Sequence, residues 1–438
     1  MQTKRTRGKQ ASNTRRNKQV KSIKKRTKPT GGRRKKTKRR NPLRQTRSLK
    51  LKKKKKKAAR RRRKASSPQP AVLIEPGRPV RYADTAPYVS EWIHNGNKDC
   101  YFTILYPDQS RYFATAKAIH APEFHETNQV WGHSFAAVIP QGRMWGPHGH
   151  VITADNTLLS DVSLDFPTGK NPEFHPAMTN WEPYPLMDTS GTVAALAFCT
   201  ADNYWHWLYD VLTRIHLLRV AGIHVDKYAV NLSSSRPFQL ATLYMLGIQP
   251  EQIILAHPQF HLRAEKLAVA SAQENQNYPQ WTIDWLREEL LYKQNLHTNI
   301  GAGNERIYIS RGNQPRRRIE NEQEIMDLLS AYGFRICALE DIPVEQQIQL
   351  FHSAQVIVAP HGAGLANLTF CRPQTRVLEL FGENFKPNLY WKLSNMGGLD
   401  YYHLICRSVG PSDTGYVGDE NIYVDRNHLE QSLQFMGL

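Results

Sequence analysis

Two stretches of this 438-residue chain carry residue types that could do chemistry. In residues 356–367 an apolar run, Val-Ile-Val-Ala-Pro, leads into His361, Gly362, Ala363, Gly364, Leu365, Ala366 and Asn367. The pattern predicts a buried strand, a tight turn with two glycines and the start of a helix. Glycine lets a backbone approach a ligand closely, and the free N–H groups of a helix start attract phosphate. In an open parallel sheet such a turn sits at the carboxyl end of a strand, where ligands bind. Glu379 follows at the end of the next predicted strand, where a carboxylate could accept two hydrogen bonds from ribose hydroxyls. Upstream, Ser310 and Arg311 close an earlier strand, and Arg suits bidentate phosphate contacts. Arg316, Arg317 and Arg318 follow in a loop, and two of these three are expected to be solvated cations. The chemistry indicated is nucleotide-phosphate recognition, or an incidental strand–helix turn.

The second stretch runs from Asn203 through His206 and Asp210 to Arg214. A spacing of four places His206, Asp210 and Arg214 on one face of a helix. Such a stripe is either a salt-bridged structural feature or a general base with its orienting partner. His148-Gly149-His150 also invites a metal reading. No third ligand stands at a recognisable metal spacing, so no metal site is expected.

The elements that must position these groups read as α/β. Trp207, Val211, Ile215 and Leu218 recur at helical spacing over 203–221, with Gly222 to end the helix. From residue 306 onward strands (306–310, 334–339, 355–359, 376–381, 401–405) alternate with helices (321–332, 343–354, about 365–370). That rhythm predicts a parallel sheet with helices on both faces. Asn321 and Glu324 stand in capping-box spacing. Residues 71–200 read as short strands and loops, and 299–304 as an interdomain connection.

Charge divides the chain sharply. Residues 1–64 hold 33 Lys and Arg and no acidic residue, leaving 27 basic against 38 acidic residues and a net of −11 for the rest. The tail cannot offset its chain entropy by burial and is expected to be disordered. The division excludes a uniformly basic protein of the ribosomal or histone-like kind. No apolar run near the start suggests a secretory signal, and none approaches the roughly 18 residues of a membrane span. Five scattered Cys fit reduced structural thiols, so a cytoplasmic location is expected, with peripheral membrane attachment through the tail an option. Sequons at Asn231 and Asn367 read as chance matches.

Taken together, several motifs in order resemble glycosyltransferase family 61, in its bacterial capsular-polysaccharide-type members. They are Ser310-Arg311, Asn321-Glu322, Gln346, His361-Gly-Ala-Gly-Leu365, Val377-Leu-Glu379-Leu, and Asn203-Tyr-Trp-His206-Trp-Leu-Tyr-Asp210 with Arg214. The resemblance covers roughly residues 190–405. It implies a GT-B-like α/β architecture of two Rossmann-like domains with the active site in the cleft between them. It also implies inverting transfer of a hexosyl or pentosyl group from a nucleoside-diphosphate sugar, usually a UDP-sugar, to a hydroxyl of a glycan or glycoconjugate. On that basis Ser310, Arg311 and the turn from His361 through Gly362, Ala363 and Gly364 to Leu365 would hold the diphosphate, and Glu379 the ribose. Asp210, or else His206, would be the base, with Asp210 the first choice. Asn203, Arg214, Asn321, Glu322 and Asn367 would lie nearby in the cleft. No Asp-x-Asp occurs, so no cofactor is expected and a divalent cation is an unsupported option.

The domains expected are a basic tail (1–66), an acceptor-side domain (67–300), a nucleotide-sugar domain (301–410) and a C-terminal segment (411–438) whose helix returns to the amino-terminal domain. The competing reading is a nucleic-acid- or polyanion-binding protein acting through its tail by counterion release. A Rossmann dehydrogenase ranks last, because its glycine fingerprint opens the first βαβ unit, whereas two units precede this one.

Overall fold

The computed structural model describes residues 77–79, 88–96, 99–165, 174–271, 277–298, 305–410 and 414–438. The polybasic tail and the 299–304 connection lie outside them. The described chain is a mixed α/β structure with two parallel-rich sheets.

The first sheet runs in the order Tyr101–Tyr106, Ser134–Pro140, His261–Ala270, Met187–Ala195, Lys227–Val230, Ile253–Leu255. Its first two pairings are antiparallel and the other three parallel. The second sheet runs Phe334–Ala338, Glu305–Ser310, Ala354–Pro360, Arg376–Gly382, Asp400–Val409, Asn421–Tyr423, parallel up to its antiparallel last strand. The predicted strands of this half all form. Val356, Ile357 and Val358 are fully buried, as a near-continuous apolar run in a parallel sheet requires.

A single apolar cluster joins the two sheets. It runs from Leu196 and Ala268 through Trp207, Tyr209 and Leu286 to Phe351, Leu368 and Ile357. Residues 114–124 cross onto the second sheet. Lys117 bridges to Tyr402 in parallel, Trp391 Nε1 donates to the Ala114 carbonyl at 2.9 Å, and Phe124 stacks on Trp391. The C-terminal helix Arg426–Phe435 packs on helix Glu322–Ala331 and strand Asp400–Val409, elements of the second sheet's own layer. Leu429 and Leu433 share a cluster there with Ile325 and Leu404.

Helix 204–220 forms in three parts: Tyr204–His206, a π-helical turn Trp207–Leu212, and Thr213–Val220. Single π turns often mark functional sites. Gly222 follows at φ +68°, the left-handed conformation that suits glycine after a helix end. The capping box at Asn321 does not form. Its side-chain amide donates to Glu324 and to the Val424 carbonyl, and its oxygen accepts from Val424 N–H, so it anchors the C-terminal segment instead.

Several histidines are buried neutral. His216 accepts or donates at 2.8 Å to the Tyr106 hydroxyl and packs against Trp281 and Trp285, and His403 Nε2 accepts from Glu123 N–H. Burial pushes both down to about 4, and lowers His261 and His352. Below the ordinary value of 6.5 the unfolded chain binds protons that the folded chain refuses. Stability should therefore fall as pH drops from 6.5 towards 4, read as a declining Tm in thermal unfolding. A flat Tm from pH 7 to about pH 5 would show that these rings titrate normally.

Candidate donor and acid–base site

The parallel strands of the second sheet follow the chain order 2-1-3-4-5 across the sheet. That order reverses between Glu305–Ser310 and Ala354–Pro360, the switch point at which open α/β sheets bind ligands. A cavity of about 300 Å³ opens there. Ser310, Arg311, Gly362, Ala363, Gly364 and Leu365 line one side. Tyr204, Ser235, Arg236 and Phe238 line the other, and they come from segments that leave the carboxyl ends of Met187–Ala195 and Lys227–Val230. Leu339, Ile342, Pro343 and Val344 make its apolar end.

Of the two arginines that line this cavity, Arg236 and Arg311, the less exposed is Arg311. Its backbone N–H donates to Glu322 Oε1, which also accepts from the Tyr308 hydroxyl at 2.8 Å. Glu322 thus positions the Arg311 loop. One guanidinium nitrogen donates to the Arg316 carbonyl at 3.1 Å, while Nε is buried without a partner. Arg317, held at φ +57°, also has a buried, unpartnered Nε. Arg316 alone of the pair reaches a carboxylate, Asp419, at 2.9 Å. Burial, with the nearby Arg317, lowers Arg311 to about 10, and burial, with the nearby Arg316, lowers Arg317. Arg317 lines a smaller neighbouring pocket with His361 and Phe385, so two part-buried guanidiniums with unpartnered Nε groups stand near one another, chemistry that suits an anion.

Gly362 is needed where it stands. A Cβ there would collide with Arg311 Nη1, although its φ of 177° is open to any residue. Gly362→Ala should therefore displace the Arg311 guanidinium and weaken binding of uridine diphosphate about tenfold, the loss of one charge-assisted bond. Titration calorimetry reads this, with Tm nearly unchanged; unaltered affinity would remove the contact from the site. The segment after the turn, Ala363–Phe370, is a 3₁₀ helix and not the expected α-helix, so aligned-dipole attraction is a weaker source of anion affinity than the arginines.

His361 and Glu379 lie beneath the cavity and not in it. His361 Nδ1 meets Glu379 Oε1 at 2.6 Å, and the Tyr401 hydroxyl donates to Glu379 Oε2 at 2.7 Å. Glu379 is 0% exposed, and both its oxygens are engaged inside the protein. Burial raises Glu379 well above the carboxylate range, and burial beside Arg317 and Arg311 holds His361 well below its own. A neutral pair supports the turn from below. The geometry thus directs Glu379 at His361 and leaves no oxygen for the expected ribose contact. Asn367 is fully buried too. Its oxygen accepts from the Tyr204 hydroxyl, and its amide donates to Gln347 and the Gly364 carbonyl. Neither sequon side chain is presented to solvent for a glycan, since Asn231 is tied to Phe198 N–H and C=O.

The second constellation assembles on the π-helical turn. Asn203 caps the helix by accepting from Trp205 N–H. Asp210 Oδ2 accepts from the Tyr278 hydroxyl at 2.7 Å and pairs with His206 Nδ1 at 2.7 Å. The Asp210 side chain is 0% exposed and that of His206 is 10% exposed. Arg214 is buried below them, donating to the Ala195 carbonyl and lying over the Phe198 ring. This is a carboxylate–imidazole pair whose outer member, His206, is itself largely buried. Trp205 links the two clusters. It packs edge-on against Tyr390, whose hydroxyl donates to the Gly362 carbonyl at 2.7 Å.

The sequence motifs thus separate into groups that line the cavity (Ser310, Arg311, Gly362 to Leu365) and groups that hold it in place (Glu322, His361, Glu379, Asn367). Asn321 joins neither. Tyr278, Arg236, Phe238 and Tyr390 went unread. They are single residues without motif spacing. Arg317 was hidden among three adjacent arginines.

Comparison with known proteins gives the same region. Residues 204–378 match the family model described as Glycosyltransferase 61. A beta-1,2-xylosyltransferase of Oryza sativa subsp. japonica is 26% identical over 93 residues, which cover 19% of this chain and 17% of that protein's length. The cavity turn, Arg311, His206 and Asp210 all fall within the matched residues.

Proposed function

We propose that the chain transfers a sugar from a nucleoside-diphosphate sugar, UDP-linked, to a hydroxyl of a glycan or glycoconjugate, with inversion. The observation that carries this reading is the meeting of the Arg311 guanidinium, whose Nε has no partner, with the Gly362–Gly364 turn at a sheet switch point. The nucleotide base would occupy the apolar end at Leu339, Ile342 and Pro343, with the diphosphate at Arg311, which lines the cavity, and towards the neighbouring Arg317, which does not. Carboxyl ends of strands from both sheets feed one cavity, which supports a GT-B type arrangement. The guanidiniums would offset the charge that develops on the leaving diphosphate.

His206 would take the acceptor hydroxyl's proton as that oxygen attacks the anomeric carbon. Asp210 would orient the ring and stabilise its protonated form. This reverses the order expected from sequence, because His206 keeps some exposure while the Asp210 side chain has none. The resemblance to a xylosyltransferase makes UDP-xylose the first donor to test. The basic tail would attach the protein to an anionic surface without entering the reaction.

The test is a screen of nucleotide sugars with the purified full chain, quantifying released nucleoside diphosphate with and without candidate glycans. Turnover with one UDP-sugar is expected. Failure across the panel, together with salt-sensitive DNA or RNA binding, would favour the polyanion-binding reading instead.

A further inference from the structure

His148, His150 and Asp165 come together away from the residues that line the donor cavity. Each offers a ligand atom, and all these atoms lie within 4.8 Å of one another. Tetrahedral ligands with metal bonds of roughly 2.0–2.1 Å stand about 3.3 Å apart, so modest side-chain rotations would close the set. Spacing alone did not show this, because Asp165 is fifteen residues from His150 in the chain and is brought in by the fold.

The backbone is built for the arrangement. Gly149 sits at φ +65°, and a Cβ there would lie 2.5 Å from Met144 Cε and 2.8 Å from Ala197 Cβ. A side chain has no room between the two histidines, and their rings stand 5.9 Å apart, edge to face. His150 is 2% exposed, and its Nδ1 is buried without a hydrogen-bond partner. An orphaned buried nitrogen costs about 1–3 kcal/mol unless something binds it. His175 packs edge-on against the His150 ring at 4.4 Å. It is itself committed, with Nε2 on the Ser163 carbonyl and Nδ1 accepting from Ala177 N–H. It therefore fixes the orientation of His150 and does not compete as a ligand.

We propose that His148, His150 and Asp165 bind one divalent transition-metal ion, for which Zn²⁺ fits best, and that the ion ties the Gly149 turn to the segment after Val162. Two imidazoles and one carboxylate, with a position left for water, suit Zn²⁺ and other borderline ions better than Mg²⁺ or Ca²⁺. The role is structural, and it is independent of the donor-site reading.

The experiment uses the full chain, stripped with a chelator and titrated with Zn²⁺ in the presence of a competing chelator. One tight ion per chain is expected, with a rise in Tm on binding. Asp165→Asn and His148→Gln should each weaken that binding by at least about tenfold. His148 is half-buried, so His148→Gln should fold even if a His150 variant does not. Binding of uridine diphosphate by these variants should be unchanged. Absence of a tight site, or Zn²⁺ affinity that ignores both substitutions, would overturn the proposal.

Discussion

Replacing Arg311 and Arg317 together by alanine should all but abolish binding of uridine diphosphate while leaving Tm equal or higher. Each guanidinium offers charge-assisted hydrogen bonds worth about 1.5–3 kcal/mol, or roughly 10- to 100-fold in affinity. The double variant should therefore lose on the order of 10³-fold, unless the two share one phosphate and act as a unit. The stability side has a separate cause. Both cations are substantially buried, each has an Nε without a partner, and burial lowers both. A buried charge left without its counterion is a standing cost to the fold, so its removal should relieve strain of this electrostatic kind. A structural pair would behave in the opposite way: Arg316, bonded to Asp419 at both oxygens, should lower Tm when replaced and leave nucleotide affinity alone. Calorimetry and thermal unfolding on the same three proteins separate the cases. If affinity is unchanged in Arg311→Ala, the anion site is elsewhere.

The second large effect is on turnover. His206→Ala should lower kcat by 10² to 10⁴ with donor-product binding retained, the range for loss of a positioned base. Asp210→Asn should cost nearly as much through a different route. Asp210 accepts at His206 Nδ1, which keeps the ring's other nitrogen as the acceptor. An asparagine amide turned towards Nδ1 would favour the opposite tautomer, with the outer nitrogen already carrying a proton. Tyr278→Phe removes one hydrogen bond to the same carboxylate oxygen and should have a smaller effect, about tenfold or less. Steady-state kinetics on the three variants give the ranking. Near-normal turnover by His206→Ala would return the base to Asp210.

These two predictions differ in how far they could be read before folding. Arg311 was placed by sequence at a strand's carboxyl end, and there it lines the cavity. The pair was legible as a stripe at spacing four, and His206 and Asp210 do meet. Their order was not, because spacing says nothing of depth. Only packing of the whole helix, with Tyr278 arriving from another segment, decides that the Asp210 side chain is fully enclosed and that of His206 nearly so.

The same division runs through the molecule. The sequence by itself determined the strand and helix alternation after residue 305, the two-glycine turn and the partition into a polycation and an acidic remainder. These follow from local pattern: apolar runs, glycine positions and charge runs act over a few residues. Tertiary structure decided what each polar group faces. Glu379, at a strand's carboxyl end, was drawn to His361 and Tyr401 because a buried carboxyl must find partners within reach. Arg317 was turned inward from a run of three. Asp165 was carried to His148 and His150. Burial and partnership are properties of distant residues meeting, and no spacing along the chain records them.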